Sequence, residues 1–278
     1  MVQVMNDDAP TALRRAEVLL DLGRPAAARD EAQRAAADDP SNPTAFVVLA
    51  KAHHELGAYP EAIDAAESSL RAEETIAGLH CLARAQRALG DHADALETFA
   101  RAIAQAPESS LLHVGVALTH VARFEAAGTA DASTAPNIND IADARAAATR
   151  AIDIDPAAPL GHYAAALAAF HGDDMPAAAQ NADEALRLDA GWAEAHLLAG
   201  RIRAAQGMSR LASRHFAAAA ASGTTDERPL QRLRWLNRAR LGWLARRRGV
   251  VAPHVVPEAR RLLEADRDLA DRHFGTGR

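Results

Sequence analysis

The 278-residue chain has little of what stabilises several common fold classes. It contains one cysteine, Cys81, so a disulfide framework is excluded. Aromatic residues make up only 4% of the sequence, which argues against a β-sandwich, a β-barrel or one large aromatic core. No apolar run reaches the roughly 18 residues that a membrane-spanning helix requires, so no transmembrane helix is predicted.

The amino terminus bears on where the protein is located, and the overall composition bears on its secondary structure. Residues 1–8 contain neither a basic region nor an apolar stretch, so we expect no secretory signal and a cytoplasmic location. Alanine, a strong helix former, supplies about a quarter of the chain. All but one of the 31 basic residues are arginine, the exception being Lys51. This usage is typical of a GC-rich bacterial gene.

Charge is distributed unevenly along the chain. Residues 228–278 carry a net charge of +8, whereas the other residues carry −14, and the whole chain has a net charge of −6. A mildly acidic protein is a poor general binder of nucleic acid, so no nucleic-acid partner is expected. The basic carboxyl-terminal part has to be considered separately.

The motifs of common catalytic sites are absent from the sequence. It contains no GxxxxGK[ST] phosphate loop, no HExxH, no GxSxG and no cysteine pair that could hold zinc. Four of its 12 histidines are the main candidates for metal ligands: His54, His80, His113 and His120. No carboxylate partner for them is evident from the sequence. We therefore predict no metal site, no cofactor and no enzymatic activity.

Five glycines interrupt helical patterns at a regular spacing: Gly23, Gly57, Gly90, Gly172 and Gly207. Their separations are 34, 33, 82 and 35 residues, and the longest corresponds to two periods plus an insertion. A fixed period of this length is the signature of a repeat protein. Apolar residues recur at helical spacing on both sides of each glycine. This pattern predicts that each unit consists of a helix, a glycine turn and a second helix.

Two further features mark the units. Proline stands in the first turn of several first helices, as at Pro10, Pro43 and Pro159. A small residue recurs at one position of each second helix, where we expect two helices to approach closely. The residues at this position are Ala28, Ala62, Ala95, Ala144, Ala178 and Ala212.

Three units are the most regular. They read FVVLAKAHHELGAYPEAIDAAESSL at 46–70, LHCLARAQRALGDHADALETFARAI at 79–103 and HLLAGRIRAAQGMSRLASRHFAAAA at 196–220. These units resemble the tetratricopeptide-repeat family, and the resemblance covers roughly residues 9–223. It implies an all-α, right-handed solenoid of about six helix–turn–helix repeats. A tail at 1–8 would precede the solenoid, and basic capping helices at 224–278 would follow it.

The chain departs from the family pattern in several places, and in the fifth unit Gly172 stands one residue early. In the fourth unit, the first helix (about 110–124) is separated from its partner (about 139–154), and we expect the small, polar insertion at about 126–138 to be a mobile loop. The aromatic residue that the family has in its first helices is mostly missing. His113, His162 and His196 stand at that position instead.

The resemblance also implies a binding groove lined by the first helices. The predicted groove residues are Lys51, His54, His80, Arg84, Arg87, Val114, Leu118, Tyr163, Phe170 and Arg201. A basic stretch would run into an apolar stretch, which suits a protein or peptide with acidic and apolar residues. Two other interpretations stay open: the arginines could form a solvated face, and the apolar residues could be buried against neighbouring helices.

The segment 229–248 carries two of the three tryptophans and many arginines. Its candidate surface residues are Trp235, Arg238, Trp243, Arg246 and Arg247. A helix here could cap the last repeat, with the arginines as a solvated rim. It could also dock on an acidic protein surface, including that of another copy. A membrane surface is a third, minor possibility, and nucleic-acid contact a fourth.

The sequence as a whole predicts a non-catalytic protein-binding scaffold or adaptor that holds its partner along the groove. The alternative is a peripheral membrane or envelope-assembly factor held by the basic helix at 229–248. Both predictions leave the oligomeric state open.

Overall fold

The computed structural model describes residues 8–129 and 138–221, and every element within them is an α-helix. The chain divides into two compact units, each larger than a single repeat. The first unit is residues 1–154, and the second unit is residues 155–278. The helices of the first unit are α1 (Asp8–Asp21), α2 (Pro25–Asp38), α3 (Pro43–Glu55), α4 (Tyr59–Ala72), α5 (Ile76–Leu89), α6 (His92–Gln105), α7 (Ser110–Thr129) and α8 (Ile138–Ile154). Those of the second unit are α9 (Pro159–His171), α10 (Met175–Leu188), α11 (Ala193–Ala205) and α12 (Ser209–Ala221).

Within residues 8–129 and 138–221, consecutive helices pair as hairpins, four in the first unit and two in the second. This pairing confirms the predicted all-α helical-repeat class and the predicted six repeats. In the first unit, α1 contacts α3, α3 contacts α5, and α5 contacts α7; in the second, α9 contacts α11. No two second helices contact each other comparably within the described residues. The first helices of each unit therefore share one closely packed face.

The turn inside each regular hairpin has one residue in the left-handed backbone region. Glycine occupies this position at Gly23, Gly57, Gly90 and Gly207, as the period predicts, because it has no side chain to clash there. The fifth hairpin differs. Gly172 has an ordinary negative φ, and Asp173 takes the left-handed conformation with φ +59°. The backbone amide of Asp173 still donates to the carbonyl of Phe170, as the glycine amide does in the other turns.

Replacing Asp173 by glycine is expected to raise the free energy of unfolding of this hairpin by about 0.5–1 kcal/mol, because the left-handed region strains a residue with a side chain. Gly57→Ala is the matched opposite. A Cβ at Gly57 would meet no atom within 4 Å, so only backbone strain should destabilise that variant. Urea denaturation followed by circular dichroism measures both. Equal signs for the two changes would contradict this account of the turn.

The alanine position shared by the second helices lies in the core. All six side chains are 0–1% exposed: Ala28, Ala62, Ala95, Ala144, Ala178 and Ala212. A larger side chain at such a site would have to displace neighbouring atoms, since protein interiors are close-packed. The burial confirms that the small residue is required by helix packing.

Histidine replaces the missing aromatic residue through a hydrogen bond. His113 Nε2 lies 3.0 Å from the carbonyl oxygen of Pro107, and His162 Nε2 lies 3.0 Å from that of Pro156. His196 Nε2 lies 3.1 Å from the carbonyl oxygen of Ala190. A carbonyl oxygen only accepts, so the imidazole N–H donates in each case. Each histidine thus ties its first helix to the turn six residues earlier.

The end of the first helix of the fourth repeat differs from the prediction. Helix α7 continues to Thr129, so the first positions of the predicted insertion are helical, and the first helix is longer than the predicted 110–124. The apolar period of this helix ends earlier than its backbone hydrogen bonding does. Residues 130–137, the rest of the predicted mobile loop, lie outside the described residues. The predicted tail at 1–8, apart from Asp8, and the capping helices at 224–278 also lie outside them.

Candidate functional site

The predicted basic residues come together on the first-helix face of the first unit. Lys51 and His54 project from α3, and His80, Arg84 and Arg87 project from the adjacent helix α5. Lys51 is exposed, and the other four are half-buried. We call these five residues the basic face.

The cations of the basic face have few carboxylate partners. Arg84 Nη2 lies 3.5 Å from Glu55 Oε1. Arg87 has no carboxylate partner within the described residues, and its Nη1 lies 3.5 Å from the carbonyl oxygen of Gly115 on α7. Burial, together with the neighbouring Arg84 guanidinium, lowers the pKa of Arg87 to about 10. The guanidinium remains charged at neutral pH.

The two histidines of the basic face are neutral at physiological pH. Burial lowers the pKa of His54 to about 4, with further lowering by the charges of Arg84 and Arg87. Burial and the same two guanidinium groups lower the pKa of His80 to about 4. The positive charge of the face near neutral pH therefore comes from Lys51 and the two arginines alone.

The low pKa values of His54 and His80 predict that the free energy of unfolding depends on pH. In the unfolded chain both histidines titrate near 6.5, so above that pH they are neutral in both states and stability is complete. As the pH falls from 6.5 towards 4, only the unfolded chain takes up these protons, and stability is lost. Because both rings are partly exposed, we expect a loss of the order of 2 kcal/mol for the pair.

Urea denaturation at pH 7.5, 6.5, 5.5 and 4.5 measures this loss. The variant His54→Gln/His80→Gln cannot take up the two protons, so its free energy of unfolding should fall less than that of the wild type over the same range. If the free energy of unfolding falls equally with pH in the two proteins, the pKa values of these histidines are not lowered in the folded state.

A cleft of about 320 Å³ adjoins the basic face at the ends of α1 and α3. Its lining includes Lys51, Arg84, Glu55 and Asp21, with Gly23 and Pro25 of the first turn. This end of the face is mixed in charge, because two carboxylates accompany two cations. The uncompensated positive charge lies towards α7, at Arg87.

The two apolar residues predicted on α7 are placed differently. Val114 is 2% exposed and belongs to the core, so its predicted role in the groove is wrong. Helix α7, which carries Val114, packs against α5, α6 and α8. Leu118 is half-buried and retains some surface that a partner could contact.

The remaining predicted groove residues lie in the second unit. The ring of Tyr163 on α9 lies 4.7 Å from that of Trp192, measured between centroids, and the two planes are tilted by 42°. The Cζ atom of Arg201 on α11 lies 4.7 Å from the centroid of the Phe170 ring. Both Tyr163 and Phe170 are half-buried against the alanine-rich core of this unit. Both rings keep part of their surface exposed, and the Arg201 guanidinium forms a cation–π contact with the Phe170 ring.

The structure reveals one charged cluster that the sequence does not predict. His120 Nδ1 on α7 lies 3.3 Å from Asp140 Oδ1 and 4.0 Å from Asp143 Oδ2, both on α8. Arg123 donates to Asp140, with its Nε 2.9 Å from Oδ1, and its Nη2 lies 3.3 Å from His120 Nδ1. Burial alone would raise the pKa of Asp140, but the hydrogen bonds from Arg123 and His120 lower it.

Three potential ligand atoms thus converge in this cluster, which is the kind of set that could hold a metal ion. The Arg123 guanidinium already supplies the cation among them. We therefore assign the cluster to pairing α7 with α8 across the insertion. The sequence names His120 as a candidate metal ligand but shows no carboxylate partner for it, and α8 supplies two carboxylates in the fold.

Other predicted features are quickly placed. Cys81 is buried, and this burial raises the pKa of its thiol. No helix among the described residues is both long enough and apolar enough to cross a bilayer. The predicted second surface lies outside the described residues: Trp235, Arg238, Trp243, Arg246 and Arg247.

Solved structures with the same fold have low sequence identity to the chain. The human IFIT1 dimer with m7Gppp-AAAA matches with a TM-score of 0.70 at 18% identity, over 96% of this chain and 62% of that one. The Cut9–Hcn1 hetero-tetramer of the APC/C matches with a TM-score of 0.65 at 17% identity, over 81% and 42%. PilW, a type IV pilus biogenesis factor, matches with a TM-score of 0.62 at 16% identity, over 82% and 99%.

The chain thus spans less than half of the matched chain of the Cut9–Hcn1 assembly. At these identities the neighbours show the fold alone. A search of curated protein sequences finds no match. A sequence model described as "Tetratricopeptide repeat" matches residues 13–74, 82–135 and 129–195, well over half of the chain. This match agrees with the helix pairs, the left-handed glycine turns and the buried alanines, and the chain belongs to the tetratricopeptide-repeat family.

Proposed function

We propose that the protein is a non-catalytic, cytoplasmic scaffold that binds an acidic segment of a partner protein on the basic face. A tetratricopeptide-repeat fold supports protein–protein interaction in general. The observation that carries the finer proposal is the arrangement of three cations on adjacent first helices, of which Arg87 has no carboxylate partner in the described part of the chain.

An anionic ligand is favoured beside Arg87. Arg87 is half-buried, so part of its hydration has been lost on folding without a compensating carboxylate. A carboxylate of a partner would restore a charge-assisted hydrogen bond and relieve the repulsion between Arg84 and Arg87. Because helices hold both arginines, little additional order is required on binding.

The second unit offers a contact of different chemistry. Tyr163 and Phe170 expose parts of aromatic rings, and aromatic residues are common anchors in protein interfaces. We propose that they contact apolar residues of a partner protein. Binding to the basic face should depend on salt, whereas binding to these rings should not.

Reversing two charges tests the proposal. The variant Arg84→Glu/Arg87→Glu should weaken partner binding by about tenfold or more at 50 mM salt and by less at 500 mM salt, because salt screens the lost attraction. Affinity capture from cells that express the protein identifies a partner, and titration of the purified pair measures the change.

The control variant is Arg71→Glu/Arg101→Glu, which alters the net charge equally on the second helices α4 and α6. Each of these arginines forms an ion pair there, with Glu67 and with Glu74. The control should bind as the wild type does. If both double variants lose affinity equally, net charge determines binding and the basic face is not the site.

A further inference from the structure

We propose that the basic face takes up protons at His54 and His80 when it binds an acidic protein segment, so that mild acidification tightens the complex. The inference rests on the proposed function of the same face and adds a regulation to it. It concerns how the free energy of binding depends on pH.

Each of the two imidazole rings contacts one aromatic ring. The ring of His54 on α3 lies 5.5 Å from that of Tyr59, at the start of α4. The ring of His80 on α5 lies 6.2 Å from that of Phe99 on α6. Both distances join ring centroids. The histidines therefore lie between an apolar or aromatic layer beneath them and the charged surface of the face.

The charged and titratable groups around them come from four helices. Asp21 of α1 and Glu55 of α3 line the adjoining cleft, and Tyr59 of α4 lies against His54. The cations whose charges disfavour protonation of His80 are Arg84 and Arg87 of α5 and Lys51 of α3, and a protonated His54 disfavours it as well. Helix α6 contributes the uncharged Phe99 ring against His80, and the Gly115 carbonyl of α7 accepts from Arg87.

Protonation is disfavoured in the free protein for reasons that the geometry explains. Both rings are partly buried next to two guanidinium groups, and His54 Nδ1 is buried with no hydrogen-bond partner among the described residues. A protonated His54 would therefore carry an unpaired N–H donor. The one nearby carboxylate on α3, Glu55, is already paired with Arg84.

An acidic partner reverses this balance. Carboxylates placed against Arg84 and Arg87 cancel the charges that disfavour the imidazolium, so each histidine binds its proton more tightly in the complex than in the free protein. By linkage, the affinity for the partner rises as pH falls. Burial, the larger cause of both low pKa values, remains in the complex, so only part of each shift is relieved. A rise in the pKa of one histidine from about 4 to about 5.5 tightens binding at pH 5.5, relative to pH 7.5, by about twofold.

A defined probe tests this without a natural partner. A rhodamine-labelled peptide of six aspartates is titrated with the full chain at 50 mM salt, at pH 7.5 and at pH 5.5, and binding is followed by fluorescence anisotropy. Circular dichroism at both pH values checks that the protein is folded. We expect the wild type to bind about 4-fold more tightly at pH 5.5 if both histidines take up a proton.

Three variants separate the outcomes. In His54→Gln/His80→Gln the pH effect should shrink to about twofold or less, and His54→Gln alone should lose part of it. If the wild type shows no pH effect, or the glutamine variants keep all of it, the proton linkage is overturned. Weaker binding by Arg84→Glu/Arg87→Glu would still uphold the basic face in that case. If the peptide does not bind, or binds this charge variant as it binds the wild type, the basic face fails and the linkage fails with it.

Discussion

Replacing Phe99 by alanine is expected to lower the free energy of unfolding by about 3–5 kcal/mol. The Phe99 side chain on α6 is fully buried. It packs in one core cluster with Leu79 and Ala83 of α5 and Leu112 of α7, so it joins two consecutive hairpins. Its removal would leave a cavity that rigid helices cannot fill, and the ring under His80 would be lost as well. Urea denaturation of the purified variant measures the change.

Leu89 provides the matched control. It is also a large apolar residue of this region, but it stands at the end of α5 and is 47% exposed. Leu89→Ala should therefore change stability by no more than about 0.5–1 kcal/mol. Similar losses for Phe99→Ala and Leu89→Ala would mean that Phe99 does not fill the core position described here.

Adding a single methyl group at Gly115 is expected to destabilise the protein by about 1–3 kcal/mol. In the middle of an exposed helix the same Gly→Ala change usually stabilises by about 1 kcal/mol, so the predicted sign is the opposite of the ordinary one. A Cβ at Gly115 would lie 2.4 Å from both Cε1 and Cζ of Phe99, and the buried ring has no space to move aside. Thermal denaturation followed by circular dichroism measures the effect.

Gly78 of α5 is the control for that change. A Cβ there would meet Leu70 Cδ2, the end of a flexible side chain, at 2.9 Å and the hydroxyl oxygens of Ser69 and Thr75 at 3.2 Å, so only small shifts are required. Gly78→Ala should therefore stay within about 1 kcal/mol of the wild type. Combining Gly115→Ala with Phe99→Leu should cost less than the sum of the two single changes, since the smaller side chain makes room. Strict additivity would contradict the close approach of Gly115 and Phe99.

The hairpins and their turns could be predicted from the sequence because glycine has a local physical role there. A left-handed turn requires glycine at a fixed place, and the period of Gly23, Gly57 and Gly90 follows directly from it. The buried alanines are predictable for a similar reason, since a small side chain at a repeated position indicates a helix crossing. The exception, Asp173, shows that the chain can shift the turn by one residue and keep its hydrogen bonds.

The features that the sequence does not predict depend on contacts between distant residues. Asp140 meets His120 and Arg123 only because α7 and α8 pair across the insertion, and no short motif encodes this pairing. Val114 was misplaced because the family pattern assigns a helix face without stating how far the neighbouring helices cover it. The hydrogen bond of each replacing histidine, such as His162, also requires the position of a carbonyl that only the folded turn provides.

Site-specific photo-crosslinking tests the central claim, that the partner lies on the first-helix face of the first unit, most directly. Benzoylphenylalanine is placed at the exposed position Lys51 on this face or at the exposed position Arg71 on the second helix α4, and cells that express each variant are irradiated. We predict that a partner identified by affinity capture crosslinks from position 51 and not from position 71. Crosslinking of that partner from position 71 alone would contradict the account.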